Sequence, residues 1–227
     1  MASKRPNENN KNDKKRGLEM KPTTIINLKT YQQGKSAVKL AKEIEKVDKN
    51  IIIGVQASDV YESVKAVKLP VYAQHVDYFK PGRHTGYILP EAVKKDGAKG
   101  TFLNHSEHRL KIRVIKKTVK RCRQVGLKTA IFAASLKEAK KIKKLKPDYL
   151  IIEPPELVAG KISVSKAKPE LIEKIAKKLK YKFLVGAGIK TNEDVKVAMK
   201  LGANGIAVSS GVVKARNPGK VLKSLIR

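Results

Sequence analysis

Six short apolar runs in this 227-residue chain are followed by residues able to do chemistry. Asn27 and Lys29 end the first, Gln74 and His75 another, and Asn104-His105-Ser106-Glu107 a third. Glu153 closes the run Tyr149 to Ile152, Gly186-Ala187-Gly188 follows Phe183 to Val185, and Ser209-Ser210-Gly211 follows Gly205 to Val208. One polar residue in such a place commonly serves as a cap. Here the types complement one another. An ammonium, an imidazole and a carboxylate can move protons and stabilise developing charge, and two small-residue turns offer backbone N–H groups to an oxyanion such as phosphate. This set needs neither metal nor nicotinamide, so no cofactor is expected.

Each member also has a plainer reading. His105 could be a hydrogen-bonded structural histidine and Glu153 a buried carboxylate paired for stability. Against this, a carboxylate between Ile152 and Pro154 is costly to desolvate without a task. His75, His84 and His108 are read as structural or surface groups.

The elements that must position these residues follow from periodicity. β-Branched runs at 24–28, 51–55, 71–73, 100–103, 129–132, 149–152, 183–185 and 205–208 predict eight strands. Lysine-rich stretches with apolar residues three and four apart predict helices over 35–47, 60–67, 86–95, 110–125, 136–145, 169–179, 192–201 and 218–226. Strands apolar on both faces and alternating with helices indicate a covered parallel sheet, and eight units match a (β/α)8 barrel. A doubly wound open sheet satisfies the same spacing. Pro169 and Pro218 stand at predicted helix starts, and Gly97, Gly126 and Gly202 follow predicted helix ends. In a barrel, the polar residues above all fall on the face where active sites are built.

Composition sets the outer limits. With 41% apolar residues the chain can bury one sizeable core, and no apolar run approaches the roughly 20 residues needed to span a bilayer. The first 20 residues are polar without a secretory core, so the cytoplasm is expected. Cys122, the single cysteine, reads as an ordinary helix residue. The net charge of +31 invites a nucleic-acid reading, yet aromatic residues make up only 5% and no RNA-binding signature appears. Before Thr24 there are seven basic and three acidic residues, so most of the charge belongs to the body, on helix faces such as 137–146. The expected organisation is a disordered basic tail, 1–22, and one barrel domain, 23–227, with no membrane or specific nucleic-acid partner.

The segments NLKTY (27–31), VYAQHVD (71–77), NHSEHR (104–109), EPPEL (153–157), VSKA (164–167), GAGI (186–189) and SSGVVKA (209–215) together resemble triosephosphate isomerases of the compact archaeal type. The resemblance runs in order from about Thr24 to the C-terminus. It implies a (β/α)8 TIM barrel that interconverts D-glyceraldehyde 3-phosphate and dihydroxyacetone phosphate through an enediolate, in glycolysis and gluconeogenesis. It further implies that Asn27 and Lys29 hold and polarise the substrate, His105 is the electrophile, Glu153 the base, and Glu107 the partner of Lys29. Val158, Gly188, Ser209, Ser210 and Gly211 would grip the phosphate. The family is itself the established example of a Glu base beside a neutral His near a helix N-terminus. The archaeal members imply a homo-oligomer, a tetramer. Where they carry Gly-Thr-Gly in the lid, this chain has Ala159-Gly160-Lys161, which points to a lid that closes less readily. The competing readings are another phosphate-binding barrel enzyme and a basic polyanion-binding protein on an inactive barrel.

Overall fold

Each apolar strand must be covered on both faces, and this chain meets that demand by closing its sheet. A computed structural model describes residues 22–154 and 167–227. Strands β1 (Thr23–Asn27), β2 (Ile52–Val55), β3 (Val71–Ala73), β4 (Gly100–Leu103), β5 (Lys128–Ala133), β6 (Tyr149–Ile152), β7 (Leu184–Gly186) and β8 (Gly205–Val208) form a closed barrel in chain order. All neighbours are parallel, and the ring is completed where β1 meets β8, with Thr24 opposite Ile206. That pairing removes the open-sheet alternative.

The described helices are α1 (Gly34–Val47), α2 (Val60–Ala66), α3 (Pro90–Lys95), α4 (Ile112–Gln124), α5 (Leu136–Lys143), α6 (Pro169–Leu179), α7 (Asn192–Lys200), α8 (Ser210–Val213) and α9 (Pro218–Leu225). Pro169 and Pro218 begin α6 and α9, and Gly97, Gly126 and Gly202 take positive φ just past α3, α4 and α7. Two elements differ from the sequence reading. The helix expected over 86–95 starts only at Pro90, because the residue before a proline is steered away from helical angles and Leu89 is extended, φ −77° and ψ 136°. The one-turn α8 is too short to leave a periodic signal.

The barrel has an inner and an outer core. Ile25, Ile52, Tyr72, Phe102, Phe132 and Ile151 point inward, while Ile26, Ile53, Ile131 and Ile152 pack outward against helix residues such as Ile44, Ile115 and Ile142. Full burial of such a side chain stabilises by about 1.5–3 kcal/mol. Aromatic rings fill the interior where glycine makes room. A Cβ on Gly54 would lie 2.0 Å from Phe102 Cε2, and one on Gly100 would lie 2.4 Å from Tyr72 Cε2.

The Lys-rich surface is the solvated face of these helices. On α4, six basic and no acidic side chains accompany the buried Ile115, Val119 and Cys122, and burial pushes the Cys122 thiol up to about 12. No described helix is long and apolar enough to cross a membrane. Most of the expected tail and residues 155–166 lie outside the described residues.

Candidate active site

Strand periodicity carries the inward stripe from apolar to polar at the C-terminal end of the barrel. Two residues after Ile25 comes Asn27, and two after Ile151 comes Glu153. Asn27 Oδ1 accepts the Lys29 N–H at 2.9 Å. Lys29 itself has φ 48°, a left-handed conformation that costs on the order of 1–3 kcal/mol in a non-glycine residue. Gln74 helps to hold it there, donating from Nε2 to the Lys29 carbonyl at 2.9 Å and to that of Gly54 at 3.2 Å. So anchored, the Lys29 ammonium donates to Glu107 Oε1 at 2.6 Å.

The tight turn after β4 presents His105. Its Nδ1 accepts the Glu107 N–H at 3.1 Å, so the hydrogen-bond pattern leaves the proton on Nε2, which faces Glu153 Oε2 at 3.3 Å. Burial lowers the His105 pKa, and the Lys29 charge lowers it further, against the opposite pull of Glu153 and Glu107. The imidazole is neutral at pH 7. The donor to Nδ1 belongs to the turn at 106–108, however, and not to a helix, since α4 begins only at Ile112. The helix N-terminus expected beside His105 is replaced by a turn amide.

Glu153 is nearly buried, with 8% exposed. Its Oε2 also accepts from Ser106 Oγ at 3.1 Å, and Gly186 on the neighbouring strand leaves space for the carboxylate, because a Cβ there would lie 3.1 Å from Oε1. Asn104, with φ 61°, pins the turn: its Nδ2 donates to the Phe132 carbonyl at 2.8 Å and to Glu138 Oε1 at 2.9 Å, and its Oδ1 accepts from Leu110 N–H at 2.9 Å. Arg109 pairs with the same Glu138. Burial alone would raise the Glu138 carboxyl, but hydrogen bonds from Arg109, the Ala134 N–H and Asn104 hold it below the usual range.

At the other end of the cleft, Ala187 and Gly188 both have positive φ. Ser209 Oγ is buried with no hydrogen-bond partner among the described residues. The N–H groups of Ser210 and Gly211 open α8 and so have no acceptor within it. An oxyanion would satisfy all three.

One cleft is lined by Asn27, Lys29, His105, Glu153, Gly188, Ser209, Ser210 and Gly211. Glu107 stands beside it through Lys29 and His105, and Val158 lies outside the described residues, as does the lid segment Ala159-Gly160-Lys161. A larger cavity, about 860 Å³, opens at the opposite end of the barrel. The site is assigned by its convergent chemistry rather than by size. Sequence reasoning missed Ser106 and Glu138 as partners in this site, and it missed the exposed Lys190, a lining residue of the cleft beside Gly188. Lys190 follows the GAGI segment directly and was legible there. Glu138 was not, being an apparently ordinary charge on α5.

The family profile described as triosephosphate isomerase matches residues 22–226. The chain belongs to the triosephosphate isomerase family. It is therefore an isomerase. It is 44% identical to the triosephosphate isomerase of Methanocaldococcus jannaschii over 214 residues, covering 89% of this chain and 98% of that one. It is 46% identical to that of Saccharolobus solfataricus over 215 residues, covering 90% and 95%. A solved structure of triosephosphate isomerase from Bartonella henselae superposes with a TM-score of 0.69 at 16% identity, covering 92% of this chain and all of that one, and agrees in fold. The triosephosphate isomerase reading of the segments 27–31, 104–109 and 209–215 thus extends over the whole barrel.

Proposed function

We propose that this chain interconverts D-glyceraldehyde 3-phosphate and dihydroxyacetone phosphate through an enediolate, with its roles divided as follows. Glu153 removes the proton from the carbon next to the substrate carbonyl and returns it to the adjacent carbon. Lys29 and the neutral His105, through Nε2–H, stabilise the oxygen on which negative charge develops, and Asn27 helps to hold that end of the substrate. Glu107 keeps the Lys29 ammonium in place. Gly188, Ser209, Ser210 and Gly211 bind the phosphate through backbone N–H groups and the Ser209 hydroxyl. For Val158 the phosphate contact rests on the resemblance alone.

The observation that carries this division is the 3.3 Å approach of His105 Nε2 to Glu153 Oε2, with Nδ1 already occupied by an amide. A neutral electrophile beside a base suits a reaction that moves one proton and needs no change in the charge of the imidazole. Triosephosphate isomerases are the established case of this arrangement.

The same reading places the protein in the cytoplasm, as a homo-oligomer of tetramer type by family resemblance. Residues 23–227 are taken as a single barrel domain preceded by a basic segment, 1–22. Specific nucleic-acid and membrane partners form no part of it. The deciding experiment is a coupled assay of purified protein with glyceraldehyde 3-phosphate beside the Glu153→Gln variant. Robust turnover lost in the variant is expected. A wild-type rate no higher than the variant's would favour the inactive polyanion-binding barrel instead.

A further inference from the structure

Glu138 sits in the first turn of α5 and does not line the catalytic cleft. A carboxylate in that position commonly does no more than complement the positive end of the helix dipole. This one turns back toward the barrel. Its Oε1 accepts from Asn104 Nδ2 at 2.9 Å and pairs with Arg109, while its Oε2 accepts the Ala134 N–H at 2.7 Å.

Each donor leads to one member of the catalytic pair. Asn104 directly precedes His105, is 1% exposed and holds its positive φ, a conformation that persists in a non-glycine residue only where the surroundings over-determine it. Besides Glu138, it ties the Phe132 carbonyl, and the Phe132 ring meets the His105 imidazole edge to face at 4.8 Å between centres. Arg109 closes the same turn from its far end, donating to the Asn104 carbonyl at 3.2 Å. On the other side, Ala134 follows Ala133, whose carbonyl accepts the Glu153 N–H at 2.9 Å. One ionised acceptor thus joins the turn that presents His105 to the strand end that supports Glu153, and hydrogen bonds to a charged acceptor are the strong kind.

We infer that Glu138 is a positioning residue for the isomerisation: through Asn104 it aims His105, and through Ala134 it fixes the end of β5 on which Glu153 rests. The carboxylate thereby sets the separation of electrophile and base without touching either. The inference rests on the roles proposed above for His105 and Glu153. It requires a carboxylate and not merely its shape, because a glutamine has one acceptor oxygen and cannot serve Asn104 and Arg109 on one side and the Ala134 N–H on the other. A shift of about 1 Å in a catalytic group, caused far from the chemistry, can cost on the order of 10²-fold in rate.

The test compares wild type with Glu138→Gln and, as a control, with Glu193→Gln, an exposed carboxylate in the first turn of α7. Glu138→Gln should lower kcat about tenfold and leave KM for glyceraldehyde 3-phosphate within about twofold, because the phosphate grip is untouched. Glu193→Gln should leave both constants unchanged. In an Asn104→Gly background, where glycine accepts the positive φ and the side chain that carries the effect is gone, Glu138→Gln should cost less than about threefold. Nitrogen NMR of His105 reads its aim without turnover: the Nε2–H tautomer should dominate in wild type and give way to a mixture in Glu138→Gln. An unchanged kcat in Glu138→Gln, an unchanged His105 signal, or losses that simply multiply in the double variant would each overturn the inference. A wild type without isomerase activity would instead overturn the proposed function, and the His105 signal would still decide whether Glu138 aims the imidazole.

Discussion

Ser106 Oγ and His105 Nε2 converge on the same oxygen of Glu153, at 3.1 and 3.3 Å. Two adjacent residues of one turn thereby hold the base from a strand end 47 positions away from Ser106. The hydroxyl steadies the carboxylate at rest, and the imidazole is left to serve the substrate.

This relationship ranks the variants. Glu153→Ala and Lys29→Ala should each lower kcat/KM by at least about 10³, since proton transfer and oxyanion stabilisation each supply about 10²- to 10⁴-fold. Ser106→Ala removes one hydrogen bond to a charged group and should cost about tenfold, with the thermal midpoint little changed. Steady-state kinetics beside a melting curve checks the order. A Ser106→Ala enzyme of full activity would show that the hydroxyl does not position the base.

The depressed pKa of His105 sets the sign of the pH response. Because burial keeps the folded-state value below 6.5, the imidazole stays neutral at pH 7, and the acid limb of kcat/KM that it governs should lie below 6.5. As pH falls past 6.5 the unfolded chain binds the proton first, so folding stability should decline toward acid and be unaffected by this group above about pH 7.5. Burial, helped by the neighbouring His108, depresses His75 in the same direction, so His105→Gln should reduce the acid loss without abolishing it. Urea midpoints at pH 7.5 and 5.5, for wild type and variant, measure the difference. Nitrogen NMR of His105 should report a proton on Nε2 at pH 7.

Lys190, directly after the GAGI segment, is a cation at the phosphate end of the cleft. Lys190 lines the same cleft as Ser209 and Gly211, and its side chain has no ion-pair partner among the described residues. Lys190→Gln should raise KM for glyceraldehyde 3-phosphate about three- to tenfold, leave kcat unchanged, and flatten the fall of kcat/KM with ionic strength. An unaltered KM would mean that the side chain points into solvent.

The strands were legible in the sequence because a strand covered on both faces writes an uninterrupted apolar run, and the helices because proline and glycine mark their ends. The site was legible as far as single residues announce themselves: a lysine after Leu28, a histidine after Asn104, a glutamate before Pro154. What stayed hidden were relations. Ser106 looks like any turn serine until Glu153 is brought beside it, and Glu138 reads as helix surface until Asn104 and Arg109 converge on it. The 86–95 helix was overextended because apolar spacing outweighed the steric effect of Pro90 on Leu89. The lid departure at 159–161 lies outside the described residues.

Gly54 and Phe102 sit on β2 and β4, strands that do not touch, and yet they share one volume inside the barrel. Any side chain gained at Gly54 collides with the ring, and trimming Phe102 first leaves a void worth about 3–5 kcal/mol in lost packing. Neither single step is open to a marginally stable protein. A change at either position therefore calls for a compensating change at the other, two strands away.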